Sequence, residues 1–237
     1  MTTLSIESRN MLSSLSWYMS ARKTALRAAL AFRTPLSITD QTDIRVHYSG
    51  YFVNLLAATE LFRETTTLQP NNFEVQLYSR MVFDGFPDGK INYSYIRELR
   101  NAVVHRGLDI TSAAHFDGNC LMIIAEPEVQ NKWGTDTFCT FGKYLLDVIA
   151  KCESIIGPVM LDCLNAAGIF DATIDVEASV AEYREAIEQS RIMPENVKAM
   201  ALTVEFKPEW AAAVHSSAMT KLRGALEPYN ATIPSAV

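Results

Sequence analysis

The sequence lacks any long uninterrupted run of apolar residues. No stretch approaches the roughly 18 to 20 apolar residues that a membrane-spanning helix needs. The N-terminal segment "MTTLSIESRNMLSSL" also lacks the charged region, apolar run and cleavage site that mark a secretory signal peptide. We therefore expect a cytoplasmic protein with no membrane partner.

Cysteine is scarce and never closely paired. The four cysteines are Cys120, Cys139, Cys152 and Cys163, and no two of them form a CxxC pair. Zinc sites built from cysteine usually contain such pairs. The sequence also lacks a clustered Asp, Glu and His set of metal-ligand spacing. We expect buried free thiols, no metal site and no cofactor.

The chain lacks an excess of positive charge. Its formal net charge of −6 argues against broad, non-specific binding of nucleic acid. The charge is unevenly distributed, because residues 1–33 carry five bases and one acid, whereas residues 171–195 carry seven acids and two bases. A local phosphate-binding site is therefore compatible with the composition, and the acidic run is most simply a solvated helix face.

Apolar residues recur with helical spacing along most of the chain. The pattern predicts helices over 5–32, about 42–65, from Asn92 or Ser94 to Gly107, and 136–168 with a kink at Pro158, then two or three helices over 174–228 broken near Pro194 and Pro208. The segments "LDITSAAHF" and "CLMIIAEPE" flank "DGN", which is typical of a β-hairpin. The predicted fold class is mainly α, with one small hairpin inserted.

What is present is a basic, histidine-bearing stretch, "RELRNAVVHRG", at residues 97–107. On a helical wheel with Ile96 at zero, Arg100 lies at about 40°, Arg97 at about 100°, Asn101 at about 140° and His105 at about 180°. Arg100 therefore lies at the edge of the apolar face, where a guanidinium is costly unless it is paired or functional. Asn101 and His105 are four residues apart and so are neighbours on the helix surface.

These residues have a purely structural interpretation as well. Arg100 would pair with an acid on another helix, such as Glu60, and His105 would be an ordinary interfacial histidine. His47, His115 and His215 have no nucleophile at a meaningful spacing. From composition and spacing alone, a structural role for the arginine and the histidine is better supported than a catalytic one.

The six residues "RNAVVH", from Arg100 to His105, resemble the R-x4-6-H motif of the HEPN superfamily, including the polar residue after the arginine, here Asn101. The position of the motif near the C-terminal end of a bundle helix is similar as well. The resemblance implies an antiparallel helical bundle in residues 1–170, with its core at about 40–168. Residues 171–237 would then form a C-terminal helical extension packed on this domain.

The resemblance implies a metal-independent endoribonuclease that acts as a toxin or as an antiviral effector. His105 would serve as general acid–base group, since a histidine in a model peptide titrates near about pH 6.5. Arg100 would stabilise the phosphorane, and Asn101 would orient the histidine or a phosphate oxygen. Arg97 is a candidate substrate contact that the family motif does not include, and Glu60 is a candidate partner that orients Arg100.

The expected partners are RNA, a second copy of the chain, and an antitoxin or regulatory protein. Some HEPN toxins continue the motif as R-x4-H-x-Y, where the tyrosine is modified by a partner antitoxin. This chain has Gly107 at that position, so neutralisation by that modification is not implied. Two alternatives stay open: a catalytically silent HEPN-like module that binds a protein or nucleotide, and an unrelated helical protein with Arg100 in an ion pair.

Overall fold

The first half of the chain folds into four helices. The computed structural model describes residues 3–33, 35–65, 72–117, 120–205 and 207–229. Within these ranges α1 spans Ile6–Ala29, α2 spans Ile38–Glu64, α3 spans Phe73–Arg80 and α4 spans Gly89–Arg106. The helices α1 and α2 make the most extensive contact between elements.

Helix α2 begins at Ile38 rather than near Thr42, because a capping box fixes its start. The Ser37 hydroxyl accepts a hydrogen bond from the Asp40 backbone N–H at 3.1 Å. The Asp40 carboxylate accepts from the Ser37 N–H at 2.7 Å. This reciprocal pair satisfies two backbone donors that a helix start otherwise leaves unbonded.

Two small antiparallel hairpins separate α4 from α5. The predicted hairpin is confirmed as β2 at Ala114–Asp117 paired with β3 at Cys120–Ile123, and residues 118 and 119 of its turn lie outside the described residues. A second hairpin, which apolar periodicity did not predict, pairs β4 at Glu128–Gln130 with β5 at Thr137–Cys139.

The predicted helix over residues 136–168 is wrong at its start. Helix α5 spans Leu145–Ala166, because residues 137–139 are already paired in β5. The Asp147 carboxylate accepts from the Tyr144 N–H at 2.9 Å and sets the first turn. Pro158 lies inside α5 as predicted.

The C-terminal part of the described chain adds three helices. After a 3-10 turn at Ile169–Asp171, β6 at Thr173–Ile174 pairs in parallel with β1 at Thr3–Leu4. Helices α6 at Val176–Gln189, α7 at Glu195–Leu202 and α8 at Pro208–Leu226 confirm the predicted breaks near Pro194 and Pro208. Helix α8 contacts both α1 and α5. The mainly α fold class is confirmed.

A buried ionic network joins α1, α2, α5 and the end of α8. Arg22 is fully buried, and its guanidinium lies 2.9 Å from the Glu153 carboxylate. The Tyr51 hydroxyl donates to the same carboxylate at 2.9 Å, and the Tyr229 N–H donates to its other oxygen at 2.8 Å. Burial raises the pKa of Tyr51 well above its ordinary value, so the phenol remains a hydrogen-bond donor.

The free thiols differ in exposure. Cys152 and Cys163 are buried as predicted, whereas Cys139 is exposed, which corrects the expectation for that residue. Cys139 is exposed because side chains alternate along β5, and its neighbour Phe138 is the one that is half-buried. The Cys120 side chain lies outside the described residues. In the described ranges, no helix is both long and apolar enough to cross a membrane.

Candidate functional site

The motif lies on α4, whose two ends are fixed by local chemistry. The Asp88 carboxylate caps the helix by accepting from the backbone N–H groups of Lys90 at 2.9 Å and Ile91 at 3.0 Å. Gly107 ends it in the left-handed conformation, with a φ of 71°, which glycine adopts without strain. The C-terminal end at Gly107 is confirmed, and the start is Gly89.

The predicted starts at Asn92 and Ser94 are wrong, because both residues are buried inside α4. The Asn92 amide donates to the backbone carbonyls of Met81 at 2.7 Å and Phe86 at 2.9 Å. A side chain that would be suitable for capping instead holds the loop before α4. This contact anchors the N-terminal half of the motif helix.

Arg100 is paired with Glu60 across the contact between α4 and α2. The Nη2 group of Arg100 donates to Glu60 Oε1. The Arg100 side chain is 18% exposed and that of Glu60 is 32% exposed. The Arg100 Nε–H is buried and has no hydrogen-bond partner among the described residues. The guanidinium therefore has a carboxylate partner and retains unused donor capacity.

Glu98 organises the polar side of the motif, and sequence reasoning gave it no role. Its carboxylate is buried and accepts from Arg97 Nε and from the Asn101 amide, both at 3.3 Å. Its backbone carbonyl accepts from Arg106 Nη2 at 3.1 Å. The buried carboxylate thus orients two polar side chains, and the backbone carbonyl of the same residue orients a third. Only its position inside a basic stretch signalled this in the sequence.

His105 is exposed and lies in an open groove of about 580 Å³. The groove is lined by Glu98, Asn101, His105, Arg106 and Lys132. The structure therefore brings together two of the predicted site residues, Asn101 and His105. Arg100 and His105 are about 140° apart on the wheel, so they face different sides of α4. Among the described residues, Arg100, Glu60 and Arg97 do not line this groove.

A second groove of about 600 Å³ adjoins the first, and both are lined by Arg106 and Lys132. Its remaining lining comes mainly from β4, β5 and the turn between them. The Trp133 side chain in that turn is 77% exposed, and Lys132 Nζ lies 5.1 Å from its ring centroid. Sequence reasoning missed Lys132 and Trp133 as site residues. The signal was a tryptophan beside a lysine and a glycine in a polar turn.

The aromatic residues one turn before the motif lie in the core. Tyr93 is buried and donates to the Thr59 hydroxyl at 3.0 Å, and Tyr95 is buried and donates to the Glu126 carbonyl at 2.7 Å. Burial raises the pKa of both phenols. These tyrosines hold α4 in place and do not reach the grooves.

The other histidines lie away from the motif. His47 is half-buried beside Phe32, and His115 is exposed on β2 beside Tyr144. His215 is hydrogen-bonded to the Ala172 carbonyl at 3.0 Å. Within the described part of the chain, no three His, Cys, Asp or Glu residues are grouped to hold a metal ion.

Comparisons of the chain with protein-family models, with curated proteins and with solved structures gave no match.

Proposed function

We propose that this chain is a metal-independent endoribonuclease of the HEPN type. The observation that carries the proposal is the open groove in which His105 and Asn101 lie beside Arg106 and Lys132. An exposed imidazole with neighbouring cations is what cleavage of a phosphodiester by proton transfer requires. The six residues from Arg100 to His105 resemble the HEPN motif, and this resemblance selects this reaction among others.

In the proposed reaction the ribose 2′-OH attacks the adjacent phosphorus. The 2′-oxygen forms a new bond to phosphorus, the bond to the 5′-oxygen breaks, and a 2′,3′-cyclic phosphate and a free 5′-OH result. A base must take the 2′-OH proton, and an acid must protonate the leaving 5′-oxygen. His105 supplies one of these proton transfers, and Asn101, whose amide is held by Glu98, orients the imidazole or a phosphate oxygen.

The extra negative charge of the phosphorane needs fixed cations. Arg106 and Lys132 line the groove, and Arg97 lies next to it with its guanidinium on Glu98. Arg100 contributes to the phosphorane only if its guanidinium rotates away from Glu60 toward the groove, because its Nε–H is buried and it does not line the groove. Glu60 would then fix the orientation of Arg100 between turnovers.

The proposed active form is a homodimer. One protomer brings one groove histidine, whereas the reaction needs both a base and an acid, so a second His105 across a shared groove would complete the set. The proposed setting is a cytoplasmic toxin or antiviral effector, with an antitoxin or regulatory protein as further partner.

A second candidate is a catalytically silent helical module that binds a protein or nucleotide. The ion pair between Arg100 and Glu60 favours it, because it gives the motif arginine a structural role. The two candidates make opposite predictions for the groove histidine.

The test is cleavage of a single-stranded RNA by purified protein in excess EDTA. We expect cleavage by the parent to survive chelation and to leave cyclic phosphate ends. We expect His105→Ala to reduce the rate by about 10²- to 10³-fold. His115→Ala is the matched control, because this histidine is also exposed but lies on β2.

The melting temperature should stay unchanged in both variants, since neither imidazole is buried. Light scattering of the same samples should give the mass of a dimer. Cleavage by His105→Ala at the parent rate would refute the ribonuclease proposal and leave the binding module. Activity that disappears in EDTA and returns with Mg²⁺ would refute the metal-independent mechanism.

A further inference from the structure

Trp133 is the most exposed of the described tryptophans, at 77%, against 62% for Trp17 and 46% for Trp210. A single exposed apolar residue is common on protein surfaces and by itself indicates nothing. Trp133 differs because its indole borders the groove that adjoins the His105 groove, and because Lys132, which lines both grooves, lies beside its ring.

The turn that presents Trp133 is held by its own hydrogen bonds. The Asn131 side-chain carbonyl accepts from the backbone N–H groups of Trp133 and Thr135, each at 3.1 Å. The Asn131 amide in turn donates to the Thr135 hydroxyl at 2.9 Å. Gly134 has a φ of 67°, which closes the turn without strain. The backbone that carries the indole is therefore ordered before any ligand binds, so binding costs little backbone ordering entropy.

The two grooves differ in charge. The His105 groove carries Arg106 and Lys132 and has Glu98 as its acid, whose carboxylate is engaged by Arg97 and Asn101. The second groove adds Glu126 and Glu128, which repel a phosphate. Carboxylates accept hydrogen bonds from the exocyclic amines of nucleobases. The first groove therefore favours backbone phosphate, and the second favours a base with an amino group.

We propose that Trp133 stacks on an unpaired nucleobase of the strand whose phosphate lies at His105. The second groove then selects bases that carry an exocyclic amine, such as cytosine, over uracil. Stacking needs a base free of its partner strand, so the ligand is single-stranded. This inference rests on the proposed function for RNA as the ligand, and it adds a specificity residue that lies outside the sequence motif.

The test measures binding alone, with a 2′-O-methyl oligocytidylate that lacks the attacking hydroxyl. We expect Trp133→Ala to weaken binding by about tenfold or more, as loss of a stacking platform does. Trp133→Phe should restore most of the affinity, because a phenyl ring also stacks. Trp17→Ala is the matched control, since Trp17 is an exposed tryptophan on α1 that lines a different groove.

Base selection is tested with oligouridylate of the same length. We expect the parent to bind oligocytidylate more tightly, and the double variant Glu126→Gln and Glu128→Gln to lose that preference. Equal affinity of the parent for the two oligonucleotides would overturn the amine selection. The stacking would be overturned if Trp133→Ala bound the oligonucleotide with the same affinity as Trp17→Ala. It would also be overturned if the parent bound neither oligonucleotide.

These outcomes are separable from failure of the ribonuclease proposal. Binding that depends on Trp133, without cleavage of a 2′-OH strand, supports the stacking site and refutes the enzyme. If cleavage depends on His105 but Trp133→Ala binds RNA as tightly as Trp17→Ala does, the stacking site is refuted and the ribonuclease proposal is not.

Discussion

Among single residues, Arg100 has both a structural and a proposed catalytic role. Its ion pair with Glu60 is partly buried, so removal of either partner should cost on the order of 1 kcal/mol or somewhat more. The proposed enzyme adds a second cost, because there Arg100 leaves Glu60 to stabilise the phosphorane, and such a cation contributes about 10²- to 10³-fold in rate. The two costs are measured by different experiments.

We therefore predict that Arg100→Ala loses cleavage by about 10²- to 10³-fold at a temperature where the variant is fully folded. Both Arg100→Ala and Glu60→Gln should lower the melting temperature by similar amounts, because each breaks the ion pair. Glu60→Gln should reduce cleavage much less, since it leaves Arg100 in place. Rates and melting temperatures of both variants are the measurements. Cleavage at the parent rate by folded Arg100→Ala would mean that the pair acts only through stability.

The sequence predicted part of this residue geometry. The helical wheel correctly gave Arg100 the core edge and made Asn101 and His105 neighbours. The structural interpretation of Arg100 named Glu60 as an example of its acid, and the structure contains that pair. Lys132 and Trp133 could not be assigned to the same site, because they come from the turn of a hairpin that only tertiary contacts bring beside α4. Local patterns specify which face of a helix a residue occupies, but not which distant turn covers that face.

At the level of elements, capping chemistry explains where helices begin better than apolar periodicity does. Asp88, Tyr144 with Asp147, and Ser37 with Asp40 set the starts of α4, α5 and α2. The early start predicted for α5 failed because the apolar residues of β5 merged with those of the helix into one run. Short strands leave too few residues for an alternating pattern to be distinguished from helical spacing.

The Asp40 cap gives α2 a pH-dependent contribution to stability. The hydrogen bonds from Ser37 lower the pKa of the Asp40 carboxyl below its ordinary value. A carboxyl whose pKa is lower in the folded state stabilises the fold at pH values above its unfolded-state pKa, which is about 4. This contribution is lost as the pH falls through the folded-state pKa. We predict that Asp40→Asn lowers the melting temperature at pH 7.

The difference between parent and Asp40→Asn should shrink as the pH falls below about 4. Asp43→Asn is the control, since Asp43 lies in the same helix but outside the capping box. A difference that is constant from pH 7 to pH 3 would show that the carboxylate charge contributes nothing to the cap.

For the whole molecule, the buried network around Arg22 links the C-terminal helices to the rest, and we predict that they unfold together. Besides Glu153, Arg22 Nη2 donates to the Ala225 carbonyl at 3.3 Å and the Glu227 carbonyl at 3.4 Å. The network therefore joins the end of α8 to α1 and α5.

We predict that Arg22→Met costs about 3 to 5 kcal/mol, because it leaves the Glu153 carboxylate buried without its cation. In a chain of this size that should lower the melting temperature by roughly 10 °C. Arg9→Met is the matched control on the same helix, since the Arg9–Glu182 pair is partly exposed and should contribute only about 0 to 1 kcal/mol.

The double variant Arg22→Met with Glu153→Met completes the argument. If the two groups act as one network, removal of both should cost much less than the sum of the single losses, because no buried charge remains unpaired.

Calorimetry of the parent should show one transition, and each variant should shift all of it. Two transitions, of which Arg22→Met shifts only one, would mean that residues 171–237 unfold as a separate unit. A single shifted transition would place the His105 groove and the C-terminal helices in one cooperative structure, in which a mutation at either end changes the population of the whole.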